Sequence, residues 1–152
     1  MTTKGSMNHI RLWVSELARS SGFYSTVLSY LGYQLMEKTD TVQGWARPGP
    51  GRNLQWIIVS QAEPGHEDTT YDRGSPGRQH IAFNAEIRSD VETFANRMRN
   101  CGVDLFLAPQ EFGYERGYFA AFVKDDDGIV IEYVHTPVNT LDNYRPESGG
   151  SW

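Results

Sequence analysis

Four polar side chains stand on otherwise apolar, strand-like runs. They are His9 in His9-Ile10-Arg11-Leu12-Trp13-Val14, Gln55 in Leu54-Gln55-Trp56-Ile57-Ile58-Val59, His80 in His80-Ile81-Ala82-Phe83-Asn84-Ala85, and Glu132 in Ile129-Val130-Ile131-Glu132-Tyr133-Val134. An ionised carboxylate among so many apolar neighbours is costly unless something pairs with it, and a metal ion is the most economical partner. Two imidazoles and a carboxylate match a site for Fe(II), Mn, Ni, Co or Zn, with the Gln55 amide oxygen as a fourth candidate ligand. Singly, each has a plainer explanation: a strand histidine is more often a satisfied rim residue than a ligand, and Glu132 alone reads as a strand charge. Arg11 and Arg47 could grip an anionic substrate bidentately, against the plain reading of surface arginines. Trp13, Trp45, Trp56, Tyr118 and Phe122 could line an apolar pocket, although strands collect aromatics for packing reasons alone.

The relation between the four polar residues comes from an internal repeat. In each copy an alternating strand starting at a histidine is followed by a helical stretch that ends at a glycine. His9 and Gly32 are 23 positions apart, and His80 and Gly102 are 22 apart. Ile10, Leu12 and Val14 alternate with His9, Arg11 and Trp13, and Ile81, Phe83 and Ala85 alternate with His80, Ala82 and Asn84, so both histidines face away from the apolar side. The first helix is expected over Leu17–Leu31, burying Leu17, Tyr24, Val27, Leu28 and Leu31, with Gly32 past its end. The second is expected to be capped by Ser89, to bury Val91, Phe94, Ala95 and Met98, and to stop at Gly102. Three short strands follow each helix: near 34–38, 44–47 and 53–60, then near 104–108, 118–124 and 129–135. The last pair is joined by the turn Asp125-Asp126-Asp127-Gly128.

The pattern β-α-β-β-β thus occurs twice, in modules at 7–60 and 78–137. A polar linker joins them over 61–77, and 138–152 reads as a tail docked by Tyr144 and Trp152. Equivalent strands put equivalent side chains around one cavity, and the four polar residues fall at matching ends of matching strands. Residues Met1 to Ser6 read as a floppy leader and not a secretory signal.

The whole chain is 152 residues, the length of one domain, with 39% apolar and 12% aromatic residues to fill a core and a formal charge of -5. That sign disfavours nucleic acid, and the lack of a long apolar run disfavours a membrane span. The single cysteine, Cys101, excludes an internal disulfide and a thiolate zinc cluster, and a reducing, cytoplasmic location is expected. Cys101 itself reads as an inert buried thiol. The run around His66, Glu67, Asp68 and Asp72 reads as a solvated linker.

From Met7 to Pro137 the chain resembles the vicinal oxygen chelate superfamily, which includes glyoxalase I, extradiol dioxygenases, methylmalonyl-CoA epimerase and bleomycin-binding proteins. The resemblance is carried by Asn8-His9-Ile10, Gly22-Phe23-Tyr24, Leu28, Leu31-Gly32-Tyr33, Gln79-His80-Ile81-Ala82-Phe83, Asp127-Gly128 and Ile131-Glu132. It implies an α+β, glyoxalase-like fold in which two βαβββ modules form a curved mixed sheet around a metal-containing cavity. It also implies one divalent ion per site, a small-molecule substrate bound through two adjacent oxygens, and a homodimer whose modules pair within or between chains. By the resemblance His9, Gln55, His80 and Glu132 fall on the four ligand positions.

The order His, Gln, His, Glu is similar to methylmalonyl-CoA epimerase, but Arg47 stands where that enzyme has a second carboxylate base. The expected activity is therefore a lyase or isomerase reaction, proton transfer through a metal-held enediolate with Glu132 as the sole base, in the manner of glyoxalase I. An Fe(II) ring-cleaving dioxygenase using His9, His80 and Glu132 is the alternative, favoured if Gln55 is not a ligand. A drug-sequestering protein of the bleomycin-binding type is the third reading, and the presence of His9, His80 and Glu132 argues against it.

Overall fold

The structure is a computed structural model that describes residues 4–144 apart from 70, 73 and 78. Strand β1 (His9–Val14) alternates as its sequence predicts: Leu12 and Val14 are buried, and His9, Arg11 and Trp13 are exposed. Helix α1 (Leu17–Tyr30) buries Leu17, Ser20, Tyr24, Val27 and Leu28. Strands β2 (Gln34–Lys38), β3 (Val42–Pro48) and β4 (Leu54–Gln61) complete a four-stranded sheet in the order β1-β4-β3-β2. The pattern then repeats as β5 (Ile81–Asn84), α2 (Arg88–Asn100), β6 (Leu105–Glu111), β7 (Phe119–Lys124) and β8 (Val130–His135), in the order β5-β8-β7-β6. In each sheet the first and last strands run parallel and the other pairs antiparallel, giving the expected α+β architecture of two βαβββ units. Hydrogen bonding stays within each sheet, and β1 and β5 are edge strands.

Both helices end in the same way. Gly32 and Gly102 lie in the left-handed region at φ +83° and +76°. The residue after each donates to the carbonyl five positions back, Tyr33 to Leu28 at 2.9 Å and Val103 to Met98 at 3.0 Å. This is the Schellman closure that satisfies the last carbonyls. The start of α2 differs from expectation: the helix begins at Arg88, and the Asp90 carboxylate accepts the Ile87 N–H at 3.2 Å, so Ser89 lies inside the first turn and does not cap it. Cys101 is exposed, not buried. The apolar stripe of α2 ends at Met98, and Cys101 sits where the chain has already turned out of the helix.

The helix-facing sides of both sheets share one core. Leu12, Tyr24, Leu28 and Val59 from the first unit join Val91, Phe94, Met98 and Ile131 from the second. Each such side chain contributes roughly 1.5–3 kcal/mol on burial. Polar contacts register the two units. Tyr24 Oη donates to the buried Asp125 at 2.8 Å, the Ser15 N–H and hydroxyl both donate to Asp127, and Arg19 lies 3.5 Å from Asp126. The Asp125–Gly128 turn is therefore a hairpin turn and also the clasp that receives α1. Because the core takes the helix side, the other face of each sheet is turned outward, and that face carries the histidines. No helix among the described residues is long and apolar enough to cross a membrane. Tyr144, expected to dock the tail, is exposed, and Trp152 lies outside the described residues.

Candidate metal centre

Glu132 sits in the middle of β8, a central strand, on the face away from the shared core. The register puts it beside Ala82 of β5 and Phe122 of β7. Only 1% of its surface is exposed. A small second core of Ala120, Phe122, Val130 and Val134, with Phe106, Leu107, Phe112 and Tyr118 against it, walls this face. Removing a carboxylate from water costs on the order of several kcal/mol unless partners compensate. Glu132 has two, one per oxygen: His80 Nε2 lies 2.9 Å from Oε2, and the Tyr118 hydroxyl donates to Oε1 at 2.5 Å. Burial, and then the hydrogen bond to Glu132, push the Tyr118 phenol well above its ordinary pKa, so it stays a donor. Gln79 Oε1 contacts His80 Nδ1 from the other side of the ring, and Phe122 meets the ring edge-on at 5.9 Å between centroids.

The structure brings together His80, Glu132, Tyr118 and Phe122, and places the remaining sequence-predicted residues elsewhere. His9 is on the outward face of the first sheet, its Nδ1 2.8 Å from Asn8 Oδ1, with Trp56 as its register partner on β4. Arg11 follows on the same face, its guanidinium 5.9 Å from the Trp13 ring. Gln55 pairs with Arg47 and alternates with Trp56, so both point to the helix side, opposite to His9. Arg47 donates to the Leu31 carbonyl at 3.4 Å and lies 5.8 Å from the Tyr33 ring. Gln55 and Arg47 help to line a cavity of about 330 Å³ with Tyr33, Ile81 and Phe83. Trp13 lines another of about 450 Å³ with Ser15, His66, Tyr71 and Asp127. Neither cavity contains His80 or Glu132.

The strand register aligns the two copies of the repeat residue by residue. Ala82 faces Glu132, and Arg11, at the same distance beyond its histidine, faces Ile58. The counterpart of Glu132 in the first unit is therefore the apolar Ile58. Both faces of β4 carry large apolar residues, so the sequence did not reveal the phase of that strand. The partnership of Tyr118 with Glu132, 14 positions apart, also escaped the sequence, where Tyr118 had only the appearance of a pocket aromatic.

The family model described as the Glyoxalase/Bleomycin resistance protein/Dioxygenase superfamily matches residues 6–133. The chain belongs to this superfamily. Among curated proteins it is similar to the uncharacterized protein YqjT of Bacillus subtilis (strain 168), 29% identical over 129 residues that span 84% of this chain and 97% of YqjT. Among solved structures it is similar to a provisionally assigned glyoxalase from Bacillus halodurans, with a TM-score of 0.73 at 23% identity, covering 88% of this chain and 97% of that one. It is also similar to a lactoylglutathione lyase from Agrobacterium tumefaciens, with a TM-score of 0.60 at 15% identity, covering 88% and 96%. At these identities the structural likenesses establish the glyoxalase-like fold.

Superfamily members usually bind a divalent metal, and the donors here fit one in part. Among the described residues of a single chain no three His, Cys, Asp or Glu side chains converge on one point. His80 and Glu132 do converge, with an imidazole nitrogen and a buried carboxylate oxygen facing each other across 2.9 Å. Those are two donors of the right chemistry, and His9 lies apart from them, on the outward face of the other sheet.

Proposed function

We propose that this chain is a divalent-metal-dependent enzyme that acts on a small molecule carrying two adjacent oxygens, by proton transfer with Glu132 as base. The site would be shared by two copies of the chain, with His80 and Glu132 from one copy and His9 from the other. The observation that carries this reading is the buried Glu132 carboxylate, aimed at His80 from an otherwise apolar wall. A divalent ion held there would supply Lewis-acid stabilisation of the charge that develops on the substrate oxygens. The side chains would do the rest. Glu132 takes and returns the proton, which contributes about 10²–10⁴-fold to a rate. Phe112, Tyr118 and Phe122 keep water from that carboxylate, so each polar contact acts in a low dielectric. Arg11, two residues beyond His9 on the same face, would meet an anionic group of the substrate, flanked by Trp13 and Trp56. Arg47 and Gln55 face the other way and are left out of this reading.

That orientation of Gln55 favours a second reading. Two histidines and one carboxylate, without a fourth protein ligand, are the donor set of non-haem Fe(II) oxygenases, whose open positions take substrate and O₂. Metal content separates these readings. We expect about one Ni, Co, Zn, Mn or Fe per chain, by mass spectrometry of protein purified without chelator or nickel resin, and its loss in both His80→Ala and Glu132→Ala. Iron as the native metal would favour ring cleavage. A wild-type protein that carries no metal and takes none up on titration would overturn both enzyme readings and leave a small-molecule binding protein.

A further inference from the structure

We infer that Tyr118 is a positioning residue for Glu132: its hydroxyl holds one carboxylate oxygen and thereby reserves the other, on the His80 side, for the metal ion. The inference rests on the reading of Glu132 as a ligand and base, and it gives Tyr118 a role other than the substrate contact its sequence suggests.

The two oxygens of Glu132 are held by different parts of the chain. Oε1 takes the hydroxyl of Tyr118, just ahead of β7, and Oε2 faces His80, just ahead of β5. The last torsion of a glutamate is broad and roughly two-fold, so an untethered carboxylate exchanges its oxygens freely. A single phenol donor on one oxygen breaks that equivalence. Tyr118 itself is also held by the loop it closes. The Phe112 N–H donates to the Tyr118 carbonyl at 3.0 Å, and the Tyr118 N–H donates to the Glu115 carbonyl at 3.3 Å. Its ring stands edge-on to Tyr114 at 5.2 Å and to Phe112 at 6.0 Å, and those two rings stack at 5.8 Å. The hydroxyl is thus delivered to Oε1 by a braced aromatic loop. Outer partners of ligand side chains fix their orientation, and removing one typically weakens metal affinity 10–100-fold.

The test is Co(II) titration of the full-length chain, followed by its visible spectrum, for wild type, Tyr118→Phe and Tyr114→Phe. Tyr118→Phe removes one oxygen and keeps the ring in its cluster. We expect it to bind Co(II) roughly 10–100-fold more weakly with an altered spectrum, while it still unfolds cooperatively without metal, at a temperature lowered by the loss of one partner of a buried carboxylate. Tyr114→Phe, whose ring packs in the same cluster, keeps wild-type affinity and spectrum. Wild-type affinity and spectrum in Tyr118→Phe would overturn this inference and leave the metal reading standing. Equal weakening in both variants would overturn it too, because the effect would then be one of loop packing. A wild-type protein that takes up no Co(II) would overturn the metal reading, and this inference with it.

Discussion

At the scale of single residues, two buried carboxylates of the second unit differ in what surrounds them. Glu132 shares an apolar wall with one imidazole and one phenol, whereas Asp125 is wrapped in donors: the Tyr24 hydroxyl at 2.8 Å and the N–H groups of Asp127 at 3.0 Å and Ile129 at 2.7 Å. Burial pushes the Asp125 carboxyl above its ordinary value, with the neighbouring Asp127 charge adding to the rise, and those hydrogen bonds oppose it. A raised folded-state pKa means that the native protein holds this proton more tightly than the unfolded chain. The stabilisation from Asp125 is then fully present below the ordinary carboxylate pKa and lost as pH rises through the folded value. Urea unfolding from about pH 4 to about pH 7 should therefore show the stability of wild type falling relative to Asp125→Asn as pH increases. Parallel profiles would sink the assignment. Residue types were the legible part of the site: His9, His80 and Glu132 stood out because a charge or an imidazole within an apolar run needs a reason. Which way Gln55 pointed was not legible, because β4 is a central strand with Trp56 and Ile58 on one face and Ile57 and Val59 on the other, and a run apolar on both faces carries no phase.

At the scale of elements, the glycine ends and buried stripes of both helices were readable because they depend on residues within a turn or two of one another, whereas the start of α2 was not, Ser89 lying inside its first turn. The 112–118 loop was not, since its purpose lies in a side chain on β8. Gly117 makes the turn that leads from that loop into Tyr118. It has φ +77°, and a Cβ there would lie 2.7 Å from Pro137 Cγ. Gly117→Ala should cost about 1–2 kcal/mol for the left-handed backbone alone, and more for the contact with Pro137. By moving Tyr118 it should also weaken metal uptake. Denaturant midpoints with parallel Co(II) titrations would check both effects, and an alanine variant of wild-type stability would contradict this account of the loop.

At the scale of the whole molecule, the shared core lies between the helix-facing sides of the two sheets, so the faces bearing His9 and Glu132 are turned outward and do not meet within a chain. A site built across two copies makes a specific prediction. Co-expressed His9→Ala and Glu132→Ala chains should form mixed dimers in which one of the two sites has every donor intact, so the mixed dimer, isolated with two affinity tags, should carry about half of the wild-type metal content. Each variant alone should carry none. If the mixed dimer also carries none, the donors act within one chain and the shared-site reading fails.

The sequence by itself determined the two βαβββ units, their helix boundaries to within two residues, and the residue types able to bind a metal. Those follow from local periodicity, glycine at helix ends and the cost of polar groups in apolar strands. Only the tertiary structure decided that Gln55 and Glu132 lie on opposite kinds of face, that Ile58 is the counterpart of Glu132, and that Tyr118 holds its second oxygen. Those facts depend on strand phase and on contacts between distant segments. A central strand covered on both sides hides its phase, and a loop that folds back over a sheet leaves no trace in the spacing of its residues.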